Sequence, residues 1–178
     1  MQLWIDILDS PLGLIDIVTN EDALLAIDFE DCRDRMMAIL HSRFDTVTLV
    51  EKSNPLGVTE KLQRYLDGQP DALEAIPVDP GGTPFQQEVW TALTKIPLGT
   101  VVSYGDLAKT LNKPGASRAV GLANSKNPIS IVIPCHRVIG SNGQLTGYAG
   151  GVDRKRWLLN HEGAQLKSSS ETQMALPL

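Results

Sequence analysis

The sequence predicts an α+β protein, a β-sheet and helix N-terminal part followed by a largely helical C-terminal part. Three observations carry that prediction. Short runs rich in Ile, Leu and Val, separated by turn residues, crowd the first third of the chain. Apolar residues recur at helical spacing through the second half. Between the two, DALEAIPVDPGGTP (71–84) concentrates Pro77, Pro80, Gly81, Gly82 and Pro84, the composition of a linker. The expected units are residues 1–80, residues 81–166 and a tail, 167–178.

In the first unit LWIDIL, GLIDIVTN and ALLAIDFE read as strands. Turns at Asp9-Ser10-Pro11 and Asn20-Glu21-Asp22 join them. A helix is expected from Asp31 to about Phe44. A second runs from Thr59 to Leu66, where Leu62, Tyr65 and Leu66 form an apolar stripe before Asp67-Gly68 ends it. The carboxylates of this unit read as a solvated surface. Cys32 and His41 lack partners at metal-ligand spacing.

The second unit opens with a clean helix start. Thr83 suits the N-cap, Pro84 the first helical position, and Gln86 completes a capping box. Phe85, Val89, Leu93 and Ile96 share one face, with Trp90 beside them, and Pro97-Leu98-Gly99 stops the helix. Thr100 to Val102 reads as a short strand. Ser103 then caps a helix whose face is Tyr104, Leu107, Ala108 and Leu111. A turn at Asn112-Lys113-Pro114-Gly115 leads to a second short helix opening near Ala116 or Ser117. This is helix-turn-helix grammar, shared by DNA-binding modules and by other helical hairpins. Ala119, Gly121 and Ala123 make the second helix slim enough to lie close to a duplex, and Arg118 is its one long early side chain.

ISIVI (129–133) reads as a buried strand that Pro134 ends, with Val138-Ile139 continuing it and Ser141-Asn142-Gly143 as a hairpin turn. Five of the 15 glycines fall between residues 140 and 151, in a loop around Tyr148. That glycine density lets backbone approach a ligand closely. The last helix spans Asp153 to Glu162, with Gly163 as its C-terminal cap. Glu162 is badly placed for that helix, because a carboxylate in the last turn opposes the dipole at a cost of about a few tenths of a kcal/mol. It is therefore expected to serve another group.

Composition narrows the function. The chain has 178 residues, 42% of them hydrophobic and 21% charged, a globular balance. No apolar run approaches the roughly 20 residues that span a bilayer. MQLWIDILDS lacks the basic and apolar regions of a signal peptide, so a cytoplasmic protein without a membrane partner is expected. Two cysteines are too few for a disulfide framework or a four-cysteine zinc site. The net charge of -5 hides an asymmetry. Residues 1–80 carry 16 acidic and 6 basic side chains, and residues 81–167 carry 4 and 10. The second part suits a polyanion, while the first keeps the molecule soluble.

The segment IPCHRVIG (133–140) admits three readings. Adjacent Cys135 and His136 point to opposite faces of an extended chain, so they poorly share a metal. A cysteine after ISIVI also serves as a small buried hydrophobe. The third reading is a nucleophile. A thiol needs deprotonation to react, His136 is the local base, and Glu162 is a candidate to orient it.

IPCHRVIG, preceded by SRAVGLANSKNPISIV and followed by GYAGGVDRKRWLLNHEG, strongly resembles the O6-alkylguanine-DNA alkyltransferases (methylated-DNA–protein-cysteine methyltransferases), most of all the constitutive bacterial type. The resemblance is dense from Gly82 to Gly163 and includes YGDLA, RAVG, NP and the GYxGG loop in order. It implies a winged-helix-like C-terminal domain containing the helix-turn-helix. It implies direct, stoichiometric DNA repair, with the alkyl group of O6-alkylguanine, and of O4-alkylthymine, passing irreversibly to Cys135. His136, through a water, takes the thiol proton, and Glu162 orients the histidine. Asn127 buttresses the active-site turn. Tyr104 rotates the target phosphate and hydrogen-bonds the extruded base, and Arg118 fills the vacated stack. Ser117 joins them in DNA binding, and Tyr148, Ala149 and Gly150 wall the guanine pocket. The implied partner is double-stranded DNA, bound by a monomer. No metal or cofactor is implied, because attack at a saturated carbon needs neither. Ala149 occupies a position where some members carry a hydroxyl residue. The tail LKSSSETQMALPL reads as a disordered extension.

Overall fold

The structure is a computed structural model and describes residues 1–166. The expected tail, 167–178, lies outside the described residues. Strands β1 (Gln2–Ser10), β2 (Gly13–Thr19) and β3 (Leu24–Phe29) form an antiparallel meander. Gly13, at φ 97°, takes the left-handed turn position between the first two. A fourth strand, β4 (Thr48–Glu51), pairs parallel to β1, so the sheet order is β3-β2-β1-β4. Sequence patterning does not mark β4, because it is four residues long, lies at the sheet edge and buries none of its side chains fully.

Helix α1 (Arg33–Arg43) covers one face of the sheet. Met36 and Leu40 pack there against Leu3, Ile5, Val18, Leu25 and Ala26. The other face meets α2 (Val58–Leu66) and the C-terminal part in a single core. Ile15, Ile17 and Ile27 of the sheet join Leu62 and Tyr65 of α2, and Val89, Trp90 and Leu93 of α3 (Pro84–Thr94). The N-terminal carboxylates are not all on a solvated surface, as expected from sequence. Asp16 of the central strand β2 and Asp28 of the edge strand β3 are both buried, each neutralised by an arginine of the α1 segment. Arg33 grips Asp16 at 2.6 and 2.7 Å, and Arg35 reaches Asp28 at 2.6 Å. Burial of a carboxylate without such a partner would be prohibitive.

The C-terminal part keeps the predicted helices. The Thr83–Gln86 capping box forms with both of its hydrogen bonds. The two-residue strand β5 (Val102–Ser103) is shifted from the expected 100–102, and Ser103 Oγ caps α4 (Tyr104–Thr110) by accepting from Asp106 N. Helix α5 (Ser117–Ser125) completes the helix-turn-helix. It is held to α3 by a bond from Trp90 Nε1 to Ala123 O at 2.9 Å. Strand β6 (Val138–Ile139) runs parallel to β5, and α6 (Val152–His161) closes the described chain.

ISIVI is buried but is not a strand. Ile129 makes one bridge to Ile27 on the free edge of β3, and the chain then turns through residues 130–132 with Ile131 at φ 72°. The Asn127 side chain explains the departure. Its Oδ1 accepts from Ile129 N at 3.0 Å and its Nδ2 donates to Ile133 O at 2.9 Å, wrapping the segment on itself. Pro128 and Pro134 bring no N–H to extend a ladder. A β-branched residue in the left-handed region costs about 1–3 kcal/mol and persists only where its surroundings enforce it. The turn at Ser141–Gly143 forms, with Gly140 N donating to Gln144 O, but no second hairpin strand follows. Among the described residues no helix is long and apolar enough to cross a membrane.

Candidate active site

The turn that replaces the expected strand delivers Cys135 to the protein interior. Cys135 opens a single 3-10 turn, Cys135–Arg137, directly after Pro134. Its N–H donates to Ile133 O at 2.8 Å, and Asn124 Nδ2 donates to its carbonyl at 3.4 Å. Cys135 is 5% exposed. Burial pushes its thiol pKa up, while an Asn127 hydrogen bond and the positive charges of Arg35 and Lys155 pull it down.

His136 is fully buried, with Nε2 2.8 Å from Glu162 Oε1. Burial lowers the histidine pKa against the opposing pull of Glu162. Arg137 grips the same carboxylate twice, Nε to Oε2 at 2.9 Å and Nη2 to Oε1 at 2.9 Å, and donates Nη1 to Ile96 O at 2.7 Å. Tyr65 adds its hydroxyl to Oε1 at 2.7 Å. Burial alone would raise the Glu162 pKa, but the hydrogen bonds from His136 and Arg137 win and hold it at about 2. A carboxylate so acidic acts only as an acceptor, so the proton on this contact belongs to Nε2. That leaves Nδ1 with a lone pair, and Nδ1 has no partner among the described residues.

Asn127, part of the same constellation, is buried and ties the turn to the N-terminal part. Its carbonyl and that of Ser125 both accept from Arg35 Nη2 at 2.8 Å. Tyr104 stands between the helix-turn-helix and the glycine loop. Its hydroxyl donates weakly to Thr146 O at 3.4 Å, and its ring lies 3.7 Å from where a Cβ on Gly121 would sit. The slim second helix thus packs directly under this tyrosine. Tyr104, Ser117, Arg118, Gly121, Gly140 and Ser141 line an open cleft of about 420 Å³. Arg118 is exposed, and its side chain makes no hydrogen bond or ion pair among the described residues.

The loop carrying Tyr148, Ala149 and Gly150 is clamped by the N-terminal part. Tyr148 is buried edge-on against Phe29 at 6.4 Å, its hydroxyl unpaired among the described residues. Ala149 is exposed, and its carbonyl accepts from the Cys32 thiol at 3.5 Å. A Cβ on Gly150 would lie 2.5 Å from Phe29. Arg154 ties the loop down through Leu12 O, Asp31 and Gly150 O.

Sequence reasoning did not assign Tyr65, Phe29, Arg35 or Lys155 to the site, and it placed Tyr65 only in an apolar stripe. Lys155 is fully buried, and among the described residues its only side-chain bond is from Nζ to Thr146 O at 2.8 Å. Burial lowers its pKa to about 8. Between Arg154 and Arg156 it looks like one more surface base. Its spacing of three and four residues before Leu158 and Leu159 is the signal that places it on the buried face.

Comparison with known proteins agrees with this architecture. Residues 84–164 match the family model described as 6-O-methylguanine DNA methyltransferase, DNA binding domain, and residues 5–80 match its ribonuclease-like domain. The Salmonella typhimurium protein named methylated-DNA–protein-cysteine methyltransferase is 54% identical over 157 residues, covering 86% of this chain and 92% of that one. Its namesake from Methanosarcina acetivorans is 39% identical, covering 91% and 99%. The crystal structure of Mycobacterium tuberculosis OGT in complex with DNA superimposes with a TM-score of 0.76 at 37% identity, covering 92% of this chain and 93% of that one. The chain belongs to the 6-O-methylguanine DNA methyltransferase family.

Proposed function

We propose that this protein repairs alkylated duplex DNA in the cytoplasm by moving the alkyl group of O6-alkylguanine onto its own Cys135, once per molecule. The observation that carries the reading is the buried Cys135–His136–Glu162 constellation, together with a helix-turn-helix whose Arg118 has no side-chain partner among the described residues. Displacement occurs at a saturated carbon. The S–C bond forms as the C–O6 bond breaks. The thiol proton passes through a water to His136 Nδ1 and from there to the departing guanine. Burial keeps the resting thiol neutral, so proton removal must accompany attack. The product is a thioether with no ready route to hydrolysis, hence the single turnover.

The target base must leave the duplex to reach a cysteine that is 5% exposed. Arg118 takes its place in the stack, Tyr104 turns the phosphate, and Ser117 contacts the backbone from the first turn of α5. Tyr148, Ala149 and Gly150 wall the guanine pocket, and Asn127 holds the turn that aims the thiol. The same pocket admits O4-alkylthymine, and the protein acts as a monomer.

The test uses duplex DNA bearing one O6-methylguanine. The tryptic peptide containing Cys135 gains one methyl group, the lesion is lost in equal amount, and Cys135→Ala binds the DNA without transfer. An intact lesion with an unmodified peptide, or many turnovers per protein, overturns the proposal.

A further inference from the structure

Glu162 Oε1 is an unusually crowded acceptor. Besides His136 Nε2 and Arg137 Nη2 it takes the hydroxyl of Tyr65, at 2.7 Å, from the other half of the molecule and 97 residues away in sequence. Tyr65 lies in the last turn of α2 and is 1% exposed. It is tied to α6 at both ends. Its carbonyl accepts from His161 Nε2 at 2.7 Å, and its ring meets the His161 ring edge-on at 5.3 Å. His161 is in turn stacked on Trp157 at 4.7 Å. The hydroxyl therefore cannot swing away from the carboxylate, and burial with Glu162 beside it keeps it protonated, a permanent donor.

An oxygen that serves three donors offers each a weaker bond than it would offer one. Arg137 reaches both carboxylate oxygens, so its charge is spread over the whole group. Tyr65 bonds only the oxygen that His136 uses. Resting on the alkyl-transfer reading above, we propose that Tyr65 is a positioning residue for that reaction: by sharing Oε1 with His136, its hydroxyl fixes the orientation of the imidazole and limits its basicity. The N-terminal half thereby contributes to the chemistry as well as to the core.

Tyr65→Phe removes the hydroxyl and keeps the ring. The full chain has three histidines, so the Nε2-bound proton of His136 is resolvable by nitrogen-edited NMR without any DNA. In Tyr65→Phe that resonance moves downfield, because Oε1 becomes a stronger acceptor. The acid limb of the methyl-transfer rate against pH moves up by about half a unit to one unit, the worth of one net hydrogen bond, because a more basic imidazole is protonated at higher pH. Replacing the three tyrosines with 3-fluorotyrosine, a better donor, moves the resonance upfield and keeps the proposal testable should Tyr65→Phe fold poorly. An unmoved resonance with a rate lowered equally at every pH means the hydroxyl is only a structural bond, and the inference falls. If wild type fails to methylate Cys135, the alkyl-transfer reading falls by itself, and the resonance still decides whether Tyr65 is coupled to His136.

Discussion

Replacing Lys155 with methionine is expected to stabilise the protein at neutral pH and to slow its reaction. The ammonium is fully buried, and among the described residues it has no carboxylate partner and makes one hydrogen bond, to Thr146 O. Its pKa falls from the usual 10.5 to about 8. A difference of roughly 2.5 units, at 1.36 kcal/mol each, is about 3 kcal/mol. The sign follows from proton counts. Between pH 8 and 10.5 the unfolded chain holds a proton that the folded chain has released, so wild-type stability rises with pH across that window. Below pH 8 the folded protein carries the full cost of the buried charge. Lys155→Met carries none of it and fills the same space with an unbranched apolar chain. Urea unfolding of both forms, in a Cys135→Ser background that removes thiol ionisation, isolates the effect. The variant should be more stable by up to about 3 kcal/mol below pH 8, less the lost bond to Thr146 O, and the gap should close towards pH 10.5. With Cys135 restored, methyl transfer should slow at neutral pH, because a positive charge that favours the thiolate is gone. A stability gap that stays constant from pH 7 to 10.5 would refute the reasoning.

Three other outcomes are expected. Glu162→Gln should flatten the acid limb of stability: the carboxylate's contribution is complete above its unfolded pKa near 4.5 and is lost as pH falls towards about 2, which acid titration of the unfolding midpoint measures. Arg118→Ala should leave stability within about 0.5 kcal/mol, since the side chain is exposed and makes no described bond. It should slow transfer from duplex DNA at least tenfold while leaving transfer from free O6-alkylguanine unchanged, and an equal loss on both substrates would contradict a flipping role. Gly150→Ala should drive its methyl into Phe29, displace the Tyr148 loop and reduce transfer. A second change, Phe29→Leu, should recover part of that loss, as the methyl-transfer rates of the single and double variants will reveal.

Much of the local structure was legible from a few adjacent residues. The Thr83–Gln86 box, the Ser103 cap, the two helices around the Asn112–Gly115 turn and the misplacement of Glu162 all involve groups within one or two turns of each other. Local chemistry of this kind is decided before the chain meets the rest of itself. The pairing of Cys135 with His136 is legible for the same reason. Hydrophobicity also marked ISIVI as buried, and it is. Hydrophobicity does not report how it is buried: the neighbouring Asn127 amide and two prolines made a turn cheaper than a ladder. The burial of Asp16, Asp28 and Lys155, and the reach of Tyr65 to Glu162, depend instead on which faces the completed core covers. A charged or polar side chain carries no mark of its burial in its own identity. Its environment is set by elements as far as 97 residues away, and only their packing determines which groups lose water and which partners replace it.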